Sequence, residues 1–314
     1  MARRLRIAFF GTPGFAVPTL EALHRGGHSV VLVVSQPDRG RGRGRSSSPS
    51  PVSGFALREG ISLLRPDRVG EASVAIALRD AQPDLGVVVA FGQFLPKRVR
   101  EAPRLGYLIN GHASLLPRFR GAAPVVRAIL AGETRTGVSV MRVEREMDAG
   151  PVALVREIDI GADETAGELA GRLAICTADA IGEALEKIAS ETANWTPQDH
   201  TRASLAPKIE RVDSRLDWNC AASSLVRRVR AMAPKPGAYT KQGDPELRIL
   251  AARAEPGPVD RTAGCVQCRP DAPLRIATGD GWLVPLRMQR AGGRVLDAAD
   301  YLRGRPILDG TELG

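Results

Sequence analysis

The stretch INGHASLLPRFRG, residues 109–121, sets an amide (Asn110), an imidazole (His112) and a hydroxyl (Ser114) at alternate positions directly after an apolar run. An Asn side chain offers an N–H to an oxygen that gains negative charge, and a His can give or take a proton in the same place. That pairing suits acyl transfer. A polar turn that satisfies its own backbone would use the same residue types, and the spacing alone leaves both readings open. No activated nucleophile accompanies the pair: there is no Gly-x-Ser-x-Gly elbow, and Ser114 runs straight into Leu-Leu-Pro. The transfer this stretch would support is therefore direct, from a donor to an external nucleophile. A carboxylate would complete the set, and Asp148, in EMDAGP between two strand patterns, is the candidate, because the glycine two residues on permits a close backbone approach. Its plain alternative is an ordinary Asp in a hairpin turn.

The elements around these residues alternate. RLRIAFFG, HSVVLVVSQ, DLGVVVAFG and LGYLIN read as short apolar strands, while FAVPTLEALHRGG, VSGFALREGI and EASVAIALRDA carry helical periodicity. Strand alternating with helix predicts a Rossmann-like, doubly wound, mostly parallel sheet, in which ligands bind beyond the carboxyl ends of the strands. Asn110, at the end of LGYLIN, is predicted to close its strand there. A helix over GAAPVVRAILAG, strands over TGVSVMRVE and GPVALVREIDI, and a long helix over ETAGELAGRLAICTADAIGEALEKIA follow. The polar, Pro-containing ETANWTPQDHTRASLAPKIE then reads as a linker. Beyond AASSLVRRVRAM short strand-like pieces separated by Gly and Pro predict a small OB-like β-barrel. The boundary is placed near residue 205, giving domains 1–204 and 205–314.

Composition narrows the class. With 314 residues, 43% hydrophobic and 25% charged, the chain has the make-up of a folded protein with room for two cores. Only 4% of residues are aromatic, so Val, Leu, Ile and Ala must fill those cores. The N-terminal apolar run is too short for a signal peptide, and no apolar stretch reaches membrane length. Four scattered cysteines are too few for a disulfide framework, and a cytoplasmic location is expected. A monomer is expected as well, because no long amphipathic helix is left over. The net charge of +9 is uneven: residues 201–314 hold 19 Lys and Arg against 13 Asp and Glu. Such a surface attracts a polyanion such as RNA, though general solubility would also account for it.

Other motifs carry less. GTPG at 11–14 lacks the third glycine and the later acidic residue of a dinucleotide fingerprint. CVQC at 265–268 has knuckle spacing but no His or Cys after it, so no metal site is expected. His24, His28 and His200 have no partners at useful spacing. RGRGRGRSSSPSP at 39–51 has no apolar face to pack. It reads as a surface loop, or as a basic loop that orders on an anionic partner beside the expected cleft.

Taken together, NGHASLLPRFRGAAP at 110–124, MDAGPV at 147–152, FFGTPGFAVPTLEAL at 9–23, VVVAFGQFLPK at 87–97 and SQPDRGRGRGR at 35–45 resemble the methionyl-tRNA formyltransferase family. The similarity continues through RLDWNCAASSLVRRVRAMAPKPGAYT at 215–240 and ATGDGWLVPLRMQRAGG at 277–293, and so spans nearly the whole chain. The resemblance implies transfer of the formyl group of 10-formyltetrahydrofolate, a co-substrate, to the amino group of methionyl initiator tRNA, with no metal and no membrane. It implies Asn110, His112 and Asp148 as catalytic residues, Ser114, Leu115, Leu116 and Pro117 as part of the folate site, and Phe91, Gly92 and Gln93 beside the pterin ring. It places Arg43 where the family recognises the end of the tRNA acceptor stem, with Arg39, Arg41 and Arg45 adding charge. Gly111 stands where the family commonly has an aliphatic residue. The Asn-x-His, Ser-Leu-Leu-Pro and Asp-x-Gly core is shared with formyltransferases of small-molecule and sugar-nucleotide amines, which are the alternative. The basic loop and the C-terminal barrel are what resemble the tRNA enzyme in particular.

Overall fold

The computed structural model describes residues 4–41, 46–241, 246–269 and 272–314. It divides into two compact units: Met1–Pro124 with Arg135–Asp159 and Ala170–Pro207, and Val125–Thr134 with Ile160–Leu169 and Lys208–Gly314.

In chain order the first unit opens with β1 (Arg6–Gly11), α1 (Val17–Arg25), β2 (Ser29–Val34), a β3–β4 ribbon (Arg39–Arg41 and Ser46–Ser48) and α2 (Pro51–Arg58). It continues with β5 (Leu63–Leu64), α3 (Ala72–Ala81), β6 (Leu85–Val89), α4 (Lys97–Arg100) and β7 (Leu108–His112). After α5 (Pro124–Ala131), which from Val125 on belongs to the second unit, come β8 (Arg135–Arg142), β9 (Val152–Asp159) and the long α6 (Ala166–Ala189), whose first four residues also fall in the second unit. Seven strands form one sheet in the order β5-β2-β1-β6-β7-β8-β9. The strands β5, β2, β1, β6 and β7 run parallel, whereas β8 and β9 are antiparallel additions at one edge.

The chemistry of the strands explains this layout. LGVVV of β6 is buried throughout, and β1 is buried from Ile7 to Gly11, as expected of strands covered on both faces. Ala8, Phe10, Leu32, Val34, Leu78, Val88 and Leu108 pack into one apolar cluster. The chain runs outward from β1 to β5 and then returns to β6 on the other side of β1. That reversal leaves a crevice beyond Gly11 and Val89, which are paired across the two strand ends.

Two details differ from the sequence reading. Strand β7 does not end at Asn110: Gly111 pairs with Val140 and His112 with Ser139, so the antiparallel neighbour β8 carries the strand two residues further. The stretch read as a linker lies in part along the first unit, bonded through Val152 and Thr196 in both directions and through Arg120 to Ser204 and Ala206. Trp195 and Tyr107 enclose the Arg142 guanidinium, with its carbon 4.3 and 4.2 Å from the two ring centres. Burial, partly opposed by Arg142, pushes the Tyr107 phenol up from its ordinary value and keeps it neutral there. Contacts of this kind leave no periodic trace in a sequence.

The second unit contains α7 (Ala222–Met232), β10 (Ala238–Thr240), β11 (Leu247–Glu255), β12 (Val266–Arg269), β13 (Ala272–Ala277), β14 (Trp282–Arg290), β15 (Val295–Asp297) and α8 (Ala298–Gly304). Its antiparallel sheet has the order β10-β11-β14-β13-β12, with β15 also on β14. Residues 310–314 join the two outer strands. Gly314 exchanges backbone hydrogen bonds with Lys241 just past β10, while Leu313 N donates to Gly264 O and Val266 N to Thr311 O beside β12. The sheet is thereby closed into a small barrel whose edges are covered. Leu216, Trp218, Val229, Ile249, Leu283 and Leu313 fill it, and the Trp218 indole N–H reaches the Thr240 hydroxyl at 3.1 Å.

Candidate active site

The structure brings Asn110, His112 and Asp148 together. Asn110 and His112 point to the same side of β7, because side chains two apart in a strand share a face. Asp148 arrives from the turn between β8 and β9, with its Oδ2 3.5 Å from His112 Nδ1 and its Oδ1 3.5 Å from Asn110 Nδ2. The His112 and Asp148 side chains are only 7% and 14% exposed. At 3.5 Å the Asn110 amide is at the outer limit of hydrogen bonding, so its N–H can be redirected to an incoming oxygen at small cost.

His112 is oriented from its other side. Its Nε2 lies 2.9 Å from the carbonyl oxygen of Phe119. A carbonyl only accepts, so that contact requires Nε2 to carry hydrogen. Nδ1, the atom facing Asp148, is then the position that gains or loses the second proton. Phe119 adopts φ +59°, held by its own N–H donating to Ser204 Oγ at 2.9 Å. Nothing in the sequence flags a main-chain oxygen as the partner of a histidine.

Asp148 also has a left-handed backbone, φ +51°, a conformation that costs a residue with a side chain about 1–3 kcal/mol. Three contacts hold it there. Gly121 N donates to Oδ2 at 2.8 Å, and the buried Gln198 amide donates to the carbonyls of Asp148 and Gly150 at 2.9 and 2.7 Å. Gly150 itself must be glycine, since a Cβ there would collide with the Arg142 carbonyl.

The proposed folate residues are placed as follows. The Ser114 hydroxyl is buried and donates to the Arg118 carbonyl at 2.7 Å. Ser139 Oγ donates to the Ser114 carbonyl and accepts from Leu116 N, which fixes the turn through Leu115, Leu116 and Pro117. Leu116 and Pro117 are joined by a cis peptide. Phe91 is a core residue, edge-on to Phe10, and its carbonyl takes donors from both Thr12 Oγ1 and Gln36 Nε2. Gly92, at φ +80°, passes so near Gln36 that a Cβ would lie 2.6 Å from Nε2. The Gln93 side chain is spent on the 67–69 backbone.

Arg39 and Arg41 fall on β3, and Arg43 and Arg45 lie outside the described residues. The base of that loop is anchored: Ser50 N donates to Asp38 Oδ1, and Arg65 pairs with the same carboxylate. Among the described residues no group of three or more His, Cys, Asp or Glu is arranged to hold a metal ion, and no helix is long and apolar enough to cross a membrane.

Residues 5–185 match the formyl transferase family, and residues 208–306 match the formyl transferase C-terminal domain. Methionyl-tRNA formyltransferase of Halorhodospira halophila is 45% identical over 305 residues, covering 97% of this chain and 98% of the relative. The chain belongs to the methionyl-tRNA formyltransferase family. Solved structures share the fold at lower identity. HypX from Aquifex aeolicus in complex with tetrahydrofolic acid superposes at TM-score 0.65 with 21% identity, over 96% of this chain and 47% of that one. A Helicobacter canadensis N-formyltransferase bound to folinic acid and dTDP-3-aminofucose does so at TM-score 0.66 with 14% identity, over 91% of this chain and 99% of that one.

Gly111 is closely packed against α6. A Cβ on it would sit 2.6 Å from Thr177 Cγ2 and 3.4 Å from Ile181 Cγ1, both on α6. The space beside Gly111 is occupied by the β-branched Thr177, whose hydroxyl is tied to the Leu173 carbonyl at 2.6 Å. Gly111→Val should therefore destabilise the first unit by about 1–3 kcal/mol through overpacking. Gly111→Ala combined with Thr177→Ser, which keeps the hydroxyl and deletes Cγ2, should recover most of the loss that Gly111→Ala causes alone, as read by denaturant titration.

Proposed function

We propose that Asn110, His112 and Asp148 carry out the reaction for which the family is named, formyl transfer from 10-formyltetrahydrofolate to the amino group of methionyl initiator tRNA. The observation that carries this reading is the convergence of an amide N–H, an imidazole Nδ1 and a carboxylate at the carboxyl end of β7, with no side-chain nucleophile in the chain motif. The methionyl amine attacks the formyl carbon, an N–C bond forms, and the carbonyl electron pair moves onto oxygen. Asn110 Nδ2–H donates to that oxyanion. His112, held through Nε2 by Phe119, adds positive charge when Nδ1 is protonated, and Asp148 balances that charge from the other side. The amine proton passes through the Asp148–His112 pair to N10 of the folate as the bond to the formyl carbon breaks, leaving tetrahydrofolate and formylmethionyl-tRNA.

The folate is a substrate, and the residues suit it. Ser114 to Pro117 form a fixed wall, and the pterin ring enters the crevice beside 90–93. The Phe91 carbonyl already has two donors, so reading the polar edge of the ring falls to the neighbouring backbone groups. The acceptor is bound through phosphate by Arg39, Arg41, Arg43 and Arg45 and by the basic second unit, contacts that position RNA without reading much sequence. The division into a catalytic region up to residue 204 and a tRNA-binding region from 205 follows the same logic. Four free cysteines among the described residues fit a reducing, cytoplasmic setting.

The decisive assay offers the enzyme 10-formyltetrahydrofolate with charged initiator tRNA, charged elongator methionine tRNA, or a sugar-nucleotide amine. Initiator tRNA should be the preferred acceptor; formylation of the small-molecule amine alone would sink the reading. In the same assay Asn110→Ala should lower kcat by roughly 10²–10³, and turnover within a few-fold of wild type would remove Asn110 from the mechanism. Arg43→Ala should raise KM for the tRNA and leave KM for the folate unchanged, whereas an equal rise in both would point to misfolding.

A further inference from the structure

The residue that ties the catalytic groups to one another lies outside every motif singled out in the sequence. Gln198 follows α6 in the segment that returns along the first unit, and it is 8% exposed. Its amide uses its full hydrogen-bonding capacity. Nε2 donates to the carbonyls of Asp148 (2.9 Å) and Gly150 (2.7 Å), while Oε1 accepts from Arg120 Nη2 (2.7 Å) and Nε (3.1 Å). A guanidinium only donates, so the atom facing Arg120 must be the oxygen and the amide has one orientation.

Arg120 is itself buried, at 7% exposure, and its Nη1 lies 3.3 Å from His200 Nδ1. Its neighbours on either side are the groups that touch the reacting pair: Phe119, whose carbonyl accepts from His112 Nε2, and Gly121, whose N–H donates to Asp148 Oδ2. Gln198 therefore bridges the two segments whose relative placement sets the His112–Asp148 separation. It also holds Asp148 by its backbone in the left-handed conformation that aims the carboxylate at His112.

We propose that Gln198, fixed by Arg120, is a positioning residue for Asp148, acting on formyl transfer through the carboxylate without touching either substrate. This rests on Asp148 serving in catalysis as described above. Gln198→Glu tests it, because a carboxylate keeps the pairing with Arg120 and loses the N–H donors to Asp148 and Gly150. The expected result is a kcat lowered about 10- to 100-fold, the loss that follows from misplacing a catalytic group by an ångström or less, with KM for folate and for initiator tRNA within threefold of wild type. In an Asp148→Ala background the same substitution should change single-turnover rate by less than twofold, because the group it positions is gone. Should Gln198→Glu fail to fold, Arg120→Lys, which keeps a charged donor to Oε1, should show the same split with a smaller loss.

A kcat within threefold of wild type in the variant that folds would overturn the proposal. So would a loss of the same size in the Asp148→Ala background, which marks a general structural defect. Wild-type turnover is the control: its absence removes the catalytic reading and this inference with it, whereas an active wild type with an indifferent Gln198 removes this inference alone.

Discussion

A carboxylate on a left-handed residue is an unstable arrangement unless its surroundings impose it, and the candidate site is built around meeting that condition at Asp148. Its backbone carbonyl is held by Gln198, its Oδ2 by Gly121 N, and the next turn residue but one must be glycine to clear the Arg142 carbonyl. Each of these partners is in turn anchored: Gln198 on Arg120, Gly121 through the hydrogen bonds that its flanking residues Arg120 and Ala123 make with Ala206, and Arg142 against the Tyr107 and Trp195 rings. Strain of about 1–3 kcal/mol at one residue is thus spread over a set of contacts that individually are ordinary. The pay-off is direction. A carboxylate on a flexible turn would average over many positions, whereas this one stays facing an imidazole whose opposite edge is already fixed.

The sheet supplies the other half of the geometry. Its parallel strands end together at the crevice, and the antiparallel β8 prolongs β7 so that His112 is in a paired strand. Position and orientation of the imidazole then follow from backbone hydrogen bonds, the least deformable part of the molecule. The same antiparallel pair, β8 and β9, delivers Asp148 at its turn. One extra hairpin on a doubly wound sheet therefore both stiffens the strand that bears Asn110 and His112 and brings in the carboxylate they need.

Much of this was legible in the residues. The alternation of apolar strand runs with helical periodicity pointed to the sheet, and Asn110 and His112 stood out as polar groups directly after an apolar run, whereas Asp148 was a candidate only as the carboxylate that would complete the set, with an ordinary hairpin Asp as its alternative. What could not be read had a common cause: it depends on contacts between segments far apart in the chain. Strand β7 looked finished at Asn110 because its last two residues are held by β8 and not by their own pattern. The stretch from Glu191 to Glu210 looked like a linker because the part that lies along the first unit is held by isolated backbone pairs at Thr196, Ser204 and Ala206 and by single side chains, Trp195 and Gln198, which leave no period. The requirement for Gly111 is of the same kind, since the space beside it is filled by Thr177, 66 positions away in the chain. Closure of the barrel by residues 310–314 had no signature either, since that tail is too short and mixed to register as a strand.

The contact between His112 and the Phe119 carbonyl has a consequence for how such a site drifts and how it is mapped. The atom that fixes the imidazole belongs to the main chain, so every one of the twenty residue types supplies it equally. For this contact position 119 counts only through the backbone angle it adopts, and a scan of side-chain truncations would pass over the interaction in silence. Weakening that oxygen calls for editing the polymer backbone itself, for instance by replacing the following amide with an ester. A part of the candidate site is in this sense written in the chain's shape and absent from its spelling.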